Sequence, residues 1–288
     1  MQTQKINIVC EDGFHLKGKL YFCDQPQDNN TVIINPALAV PQSYYSRFAE
    51  FLAQHGYTVL TYDYRGIGQS IDPTVDGATI RMEDWGRYDF HAVLEKVLTD
   101  LEPRQLYVTG HSAGGQLIGL SDHCKAIDAM VFVTTPSGYW KHYTTPFKYA
   151  LALFWYVIAP ALSYQRSYFP AHLVKIGPKN VPSGVIKQWA SWGRTKGYLF
   201  DKKHEFDLTN YHEISAPILA YSFTDDHFSP CKAVDALLAN YPQAAIEHKS
   251  IKPADLDKKH IGHFGFFRDS MRQSLWEETI NWLESLDQ

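Results

Sequence analysis

Long hydrophobic runs, paired cysteines and blocks of like charge are all scarce in this 288-residue chain, and each shortage narrows what it can be. The most apolar stretch, YALALFWYVIAPALSY (149–164), is about 16 residues long and broken by Pro160, short of the roughly 20 that a membrane-spanning helix needs. It is expected to be a buried or substrate-facing helix, and no membrane span is expected elsewhere. Cys10, Cys23, Cys124 and Cys231 lie far apart without a CxxC pair, which argues against a disulfide framework or a structural zinc site and for buried thiols. No HExxH or paired Cys/His ligand spacing is present, and His123 beside Cys124 reads as helix-end packing, so no metal is expected. Lys and Arg number 27 against 31 Asp and Glu, a net charge of −4 without a Lys/Arg block. Such a chain has no electrostatic reason to bind nucleic acid or an anionic membrane surface. The N-terminal MQTQKINIVCEDG lacks the charged-then-apolar order of a secretory signal and reads as a first strand, which makes the cytoplasm the expected compartment. There is no internal repeat and no low-complexity tract.

What is present is the composition of a globular protein, 45% hydrophobic and 20% charged, with strand and helix patterns in alternation. KINIVC and GKLYF, joined by EDGFHLK, predict an antiparallel hairpin. TVIIN (31–35) is a short buried strand, followed by a helix in YYSRFAEFLAQHG that stops at Gly56, and by a second buried strand in YTVLTYD. From Asp84 a helix is predicted, because Phe90, Val93, Leu94, Val97, Leu98 and Leu101 form one apolar stripe before Pro103. QLYVTG, AIDAMVFVTTP, PILAYSF and AAIEHKSI are further strands, with helices in AGGQLIGLS, KAVDALLANY and SLWEETINWLESL. Repeated alternation of this kind predicts a mainly parallel sheet with helices on both faces.

The strand QLYVTG runs straight into GHSAGG, so Gly110, Ser112 and Gly114 make a G-x-S-x-G at a strand-to-helix bend. A serine at such an apex is forced into a strained backbone conformation that raises its hydroxyl above the sheet, and the glycines remove side chains that would collide there. A phosphate-binding or tightly packed helix start, with Ser112 as N-cap, would use a similar pattern, but the lysine of a phosphate loop is missing and no nucleotide or other cofactor is expected. A serine hydroxyl needs a histidine to take its proton and an acid to orient that imidazole. Asp225 and Asp226 both follow the strand PILAYSF, and Asp226, four residues before Pro230, is preferred. His263, between Gly262 and Phe264, is the better base, whereas His260 after two lysines reads as a solvated residue. His111, inside the bend, should point away from the serine into packing. The Ala113 N–H, at the start of the helix, is a candidate oxyanion donor.

YDYRGIGQS (62–70), GHSAGG, DDHFSP and GHFGFF together resemble the α/β-hydrolase superfamily of serine hydrolases, in a bacterial branch akin to serine aminopeptidases and monoacylglycerol lipases. The resemblance implies an eight-stranded α/β-hydrolase sheet and the chain order nucleophile, acid, base as Ser112, Asp226, His263. It also implies an acyl-enzyme resolved by water. The chain departs from the family at the first oxyanion loop, where INPALAV places Asn35-Pro36 in the position of the usual His-Gly and leaves Ala37 and Leu38 as alternative backbone donors. Arg65, before Gly66 and Gly68, is read as a structural residue paired to a carboxylate.

Residues 1–136 and 215–288 are expected to form the hydrolase core, and 137–214, where aromatic residues crowd and prolines interrupt the helices, a helical cap over the serine. Trp140, Tyr143, Phe147 and Phe154, with Trp155, Tyr156, Trp189 and Trp192, would line or brace the pocket, and more than half of them are expected to form the cap's own small core. An aromatic, weakly charged cover favours a small-molecule ester, or a thioester or small amide, with an apolar acyl or aromatic group. Acyl transfer to an acceptor other than water, and a non-catalytic binding module on a hydrolase scaffold, are the alternatives.

Overall fold

The computed structural model describes residues 1–23, 29–174 and 176–286. The opening hairpin, β1 (Gln2–Val9) and β2 (His15–Phe22), pairs in register from Gln2 with Phe22 to Val9 with His15. β3 (Thr31–Asn35), β4 (Thr58–Tyr62), β5 (Leu106–His111) and β6 (Ala129–Val133) follow. β7 (Tyr168–Phe169) and β8 (Val181–Pro182) pair only with each other, and β9 (Ile218–Phe223) and β10 (Ile246–Ile251) return to the main sheet. That sheet has eight strands in the order β1-β2-β4-β3-β5-β6-β9-β10, antiparallel at β1–β2 and β2–β4 and parallel beyond.

Every residue of β3, β4, β5 and β6 is buried, as expected of short apolar strands covered on both faces. Alternation along β3 sends Val32 and Ile34 to one face, with Phe48, Phe51 and Leu52 of the helix Ser46–Gln54 and with Trp276 near the C-terminus. Ile33 goes to the other, with Val93, Leu94 and Val97 of the helix His91–Asp100. Each such side chain contributes about 1.5–3 kcal/mol by leaving water.

Two expected helices are remodelled. The helix after β5 was expected to run through AGGQLIGLS, but a regular turn spans only Ala113–Gln116 and a 3-10 turn follows at Ile118–Leu120. The Tyr211 hydroxyl donates to the Gln116 carbonyl at 2.7 Å, and the Leu120 N–H bonds the Leu117 carbonyl instead. Two adjacent glycines further lower the helical preference. The helix predicted from Asp84 begins at Met82 and passes through a π-helical turn, Trp85–Phe90, before the regular His91–Asp100.

That π-helical turn buries Asp89 against Arg65, whose Nε donates to Asp89 Oδ1 at 2.6 Å and whose Nη1 donates to Asp12 Oδ2 at 2.6 Å. The pairing expected of Arg65 is therefore present, and it ties the loop after β4 to the opening hairpin.

Between β6 and β9 the chain leaves the sheet. It forms the helices Phe147–Leu153, Ala159–Ser163 and Ser183–Gly193, with the β7–β8 ribbon packed among them.

Candidate active site

The parallel strands β3, β5, β6, β9 and β10 all end at the same edge of the sheet, so the loops that follow them meet there. Ser112 is the first residue beyond β5, with φ 51° and ψ −114°, a conformation that non-glycine residues rarely adopt and that a strand-to-helix bend imposes. The bend is possible because of its neighbours. A Cβ at Gly110 would lie 2.5 Å from Gly115 Cα, and one at Gly114 would lie 2.3 Å from the Asn35 carbonyl oxygen.

The structure brings the three expected side chains together. Ser112 Oγ donates to His263 Nε2 at 2.9 Å, and His263 Nδ1 donates to Asp226 Oδ2 at 2.7 Å. The Asp226 side chain is 1% exposed and the His263 ring 11% exposed. The second Asp226 oxygen, Oδ1, accepts the Phe228 N–H at 2.8 Å. Asp225, the competing carboxylate, is not the partner of His263 and instead accepts the N–H groups of Ile261 at 2.9 Å and Gly262 at 3.1 Å. It also pairs with His260, whose ring is exposed as expected. Burial acts to raise the Asp225 carboxyl, but the two N–H bonds and the His260 ring outweigh it and hold the group below its usual range.

Of the backbone donors proposed for an oxyanion, Ala37, Leu38 and Ala113, the first is engaged: the Ala37 N–H donates to Tyr45 Oη at 2.8 Å. Among the described residues the Leu38 and Ala113 N–H groups have no hydrogen-bond partner, and Leu38 lines the cavity into which Ser112 opens. Tyr45 Oη in turn donates to His111 Nδ1 at 2.8 Å, and His111 Nε2 donates to the His263 carbonyl at 2.9 Å. A carbonyl can only accept, so Nε2 carries the His111 proton and Nδ1 receives the tyrosine hydroxyl. Full burial, then the nearby His263, push the His111 pKa well below its ordinary value, so the ring stays neutral. His111 does point away from Ser112, but it does more than pack: with Tyr45 it joins the loop after β3, the Ser112 bend and the His263 loop. No sequence spacing singled out Tyr45.

The cavity over Ser112 has a volume of about 360 Å³. Five of the eight rings expected between 137 and 214 contribute to its wall, namely Tyr143, Phe147, Phe154, Trp155 and Trp189, and three of these, Phe154, Trp155 and Trp189, also pack on one another in the core. Trp192 is fully buried outside the cavity and Tyr156 faces solvent. The polar groups in the wall are largely bonded to other protein groups. Gln116 donates to the Pro136 carbonyl at 2.6 Å and accepts from Tyr198 Oη at 2.9 Å, and Tyr143 Oη donates to the Ser137 and Phe228 carbonyls at 3.2 and 3.1 Å. Among the described residues one group of potential metal ligands comes together, Cys231, Asp235 and His248, and none of the three lines this cavity. No helix among the described residues is long and apolar enough to cross a membrane.

The family model described as "Serine aminopeptidase, S33" matches residues 26–184, more than half of the chain. No curated protein matches. Among solved structures, a soluble variant of monoglyceride lipase from Saccharomyces cerevisiae, in complex with a substrate analog, is similar with a TM-score of 0.72 and 16% identity, over 98% of this chain and 94% of that one. An esterase from Pyrococcus furiosus is similar with a TM-score of 0.64 and 18% identity, over 99% of this chain and 91% of that one. A Xanthomonas campestris protein described as an α/β serine hydrolase without a lid has a TM-score of 0.55 and 14% identity, over 98% of this chain and 95% of that one. At such identities the likeness is one of fold, and it is the matched family model that places the sequence: the chain belongs to the serine aminopeptidase S33 family, within the serine hydrolases of the α/β-hydrolase superfamily.

Proposed function

We propose that the protein cleaves a carboxylic ester, or a closely related thioester or small amide, of an apolar acyl or aromatic substrate through an acyl-enzyme. One observation carries the reading: the hydrogen-bonded line Asp226–His263–Ser112 ends in a cavity whose wall is mostly apolar. In this scheme His263 Nε2 takes the Ser112 proton as Oγ attacks the acyl carbon, and Asp226 stabilises the resulting imidazolium. The proton passes to the departing alcohol as its bond to the acyl carbon breaks. Water then attacks the acyl-enzyme with His263 again as base, releasing the acid and restoring Ser112.

The negative oxygen that forms on the acyl carbon is received by the N–H groups of Leu38 and Ala113, since Tyr45 holds the third donor, Ala37. Residues 1–136 and 215–288 serve as the hydrolase core, and 137–214 as a helical cap whose rings select the substrate. At about 30 Å³ for each small group, the cavity admits on the order of a dozen non-hydrogen atoms, which suits a medium-length acyl chain or a substituted aromatic acid.

The test is turnover of p-nitrophenyl esters from acetate to dodecanoate, together with labelling by a fluorophosphonate probe mapped by peptide mass spectrometry. Hydrolysis that is fastest at intermediate length, with the label on Ser112, is the expected result. A Ser112→Ala protein that keeps full turnover, or a label on a different residue, would remove Ser112 from the role.

A further inference from the structure

The apolar stretch 149–164 contains no charged residue, and its helices, Phe147–Leu153 and Ala159–Ser163 joined through the π-helical turn Phe154–Ile158, carry one charge between them, Lys148. A helix of that composition ordinarily sits inside a core. Here only one side is covered. Leu151, Phe154 and Ile158 face the Ser112 cavity, whereas Tyr149, Leu153, Tyr156 and Val157 on the outer side, with Tyr164 beyond them, are between 52% and 70% exposed. Single exposed apolar side chains are ordinary on a protein surface, but a contiguous row along one element marks a contact surface.

The segment that carries this row is charged with one sign along its sequence. From 137 to 200 the chain carries eight of its 27 Lys and Arg residues and none of its 31 Asp and Glu residues, so the overall charge of −4 conceals a cationic segment on an acidic body. Cations also lie on the exposed rings themselves: Lys148 Nζ is 5.0 Å from the centroid of Tyr149, and the Arg194 guanidinium is 5.7 Å from that of Tyr156. Arg166 is exposed just past the end of the row.

We propose that this face docks on an anionic lipid bilayer, with the tyrosine, leucine and valine side chains at the boundary of headgroups and acyl chains and the Lys and Arg groups over lipid phosphates. An anionic leaflet supplies both of the things the face lacks, an apolar layer and negative charge, and needs no matching shape. The whole-chain charge balance had pointed away from such a surface because the acidic body masks the basic segment. Docking in this way sets the bilayer on the outer side of the helix whose inner side walls the cavity. The inference goes beyond the proposed ester hydrolysis and does not depend on it.

The experiment is flotation of the full chain carrying Ser112→Ala, so that no lipid is consumed, with vesicles of phosphatidylcholine alone or mixed with phosphatidylglycerol. Binding is expected with the mixed vesicles, weaker binding with phosphatidylcholine, and a fall as salt is raised. Lys148→Gln with Arg166→Gln should weaken the partition to mixed vesicles about tenfold or more, and Leu153→Ser with Val157→Ser about tenfold. Thermal unfolding should be unchanged in both, because Arg166, Leu153 and Val157 face solvent and Lys148 is only half-buried. Equal failure to bind either vesicle, or binding that neither pair of substitutions weakens, would overturn the proposal. So would a dimer in sedimentation velocity that Leu153→Ser with Val157→Ser dissociates, since a second copy would then cover the face. Loss of ester hydrolysis in the parent protein would strike the proposed function and leave this result standing.

Discussion

The strand-end frame and the segment between β6 and β9 meet over the same cavity but are built by different physics. In the frame each reactive group follows a strand of one continuous sheet, and hydrogen bonds to both Asp226 oxygens and both His263 ring nitrogens hold it in place. In the segment the elements are short, and what they present to the cavity is mostly rings and aliphatic side chains. On the proposed function the contrast separates two tasks, with hydrogen bonding at strand ends setting the chemistry and apolar packing setting which acyl group reaches it.

Substitutions can break that separation. In the frame they should depress every ester alike. Ser112→Ala is expected to lower kcat by a factor on the order of 10⁴–10⁶, measured with a short and a long p-nitrophenyl ester, and a loss confined to one of them would blur the distinction. Asp226→Asn should cost about 10⁴-fold by favouring the wrong imidazole tautomer, with the unfolding temperature as the control for a merely structural effect. Asp225→Ala frees the backbone that carries His263 without touching its ring, so a loss of about 10- to 100-fold is expected; unchanged kcat would mean the loop needs no such anchor.

In the segment the effect should fall on chain length instead. Leu151→Trp narrows the cavity, and the ratio of kcat/KM between successive ester lengths should shift toward shorter chains by about fourfold for each methylene no longer accommodated. Uniform loss across the series would assign the segment a role in chemistry.

The smallest effect concerns pH. Because His111 is held neutral in the fold, the unfolded chain binds a proton that the folded chain refuses as pH falls below about 6.5. Its contribution to stability is therefore level above that value and declines on acidification, by at most about 1.4 kcal/mol per pH unit. Urea unfolding at pH 7 and pH 5 should show a shallower decline in His111→Gln than in the parent, and identical slopes would mean that the ring is protonated in the folded state.

Much of the frame was legible because its signals are local. β3 is five buried residues between Asn30 and Pro36, and its bounds coincide with TVIIN. The Ser112 bend announces itself through glycines that the backbone of Asn35 and Gly115 leaves no room to replace. Tyr45 was invisible for the opposite reason: Ala37 and His111 lie 8 and 66 residues from it and meet only because β3 and β5 are neighbours in the sheet. The early end of the helix after β5 depends on Tyr211, 95 residues from the carbonyl it bonds. The rings of 137–214 could be recognised as aromatic but not sorted, because which of them reach the cavity is settled by how helices of only five to eleven residues pack.

Adjacent in the chain, Asp225 and Asp226 take hold of a single loop at two levels, one through the amides of Ile261 and Gly262 and the other through the ring of His263. The imidazole is thus denied most of its torsional freedom before any substrate arrives. That loss of entropy is incurred once, when the chain folds, and need not recur with each catalytic cycle. Two carboxylates side by side thereby convert folding free energy into readiness.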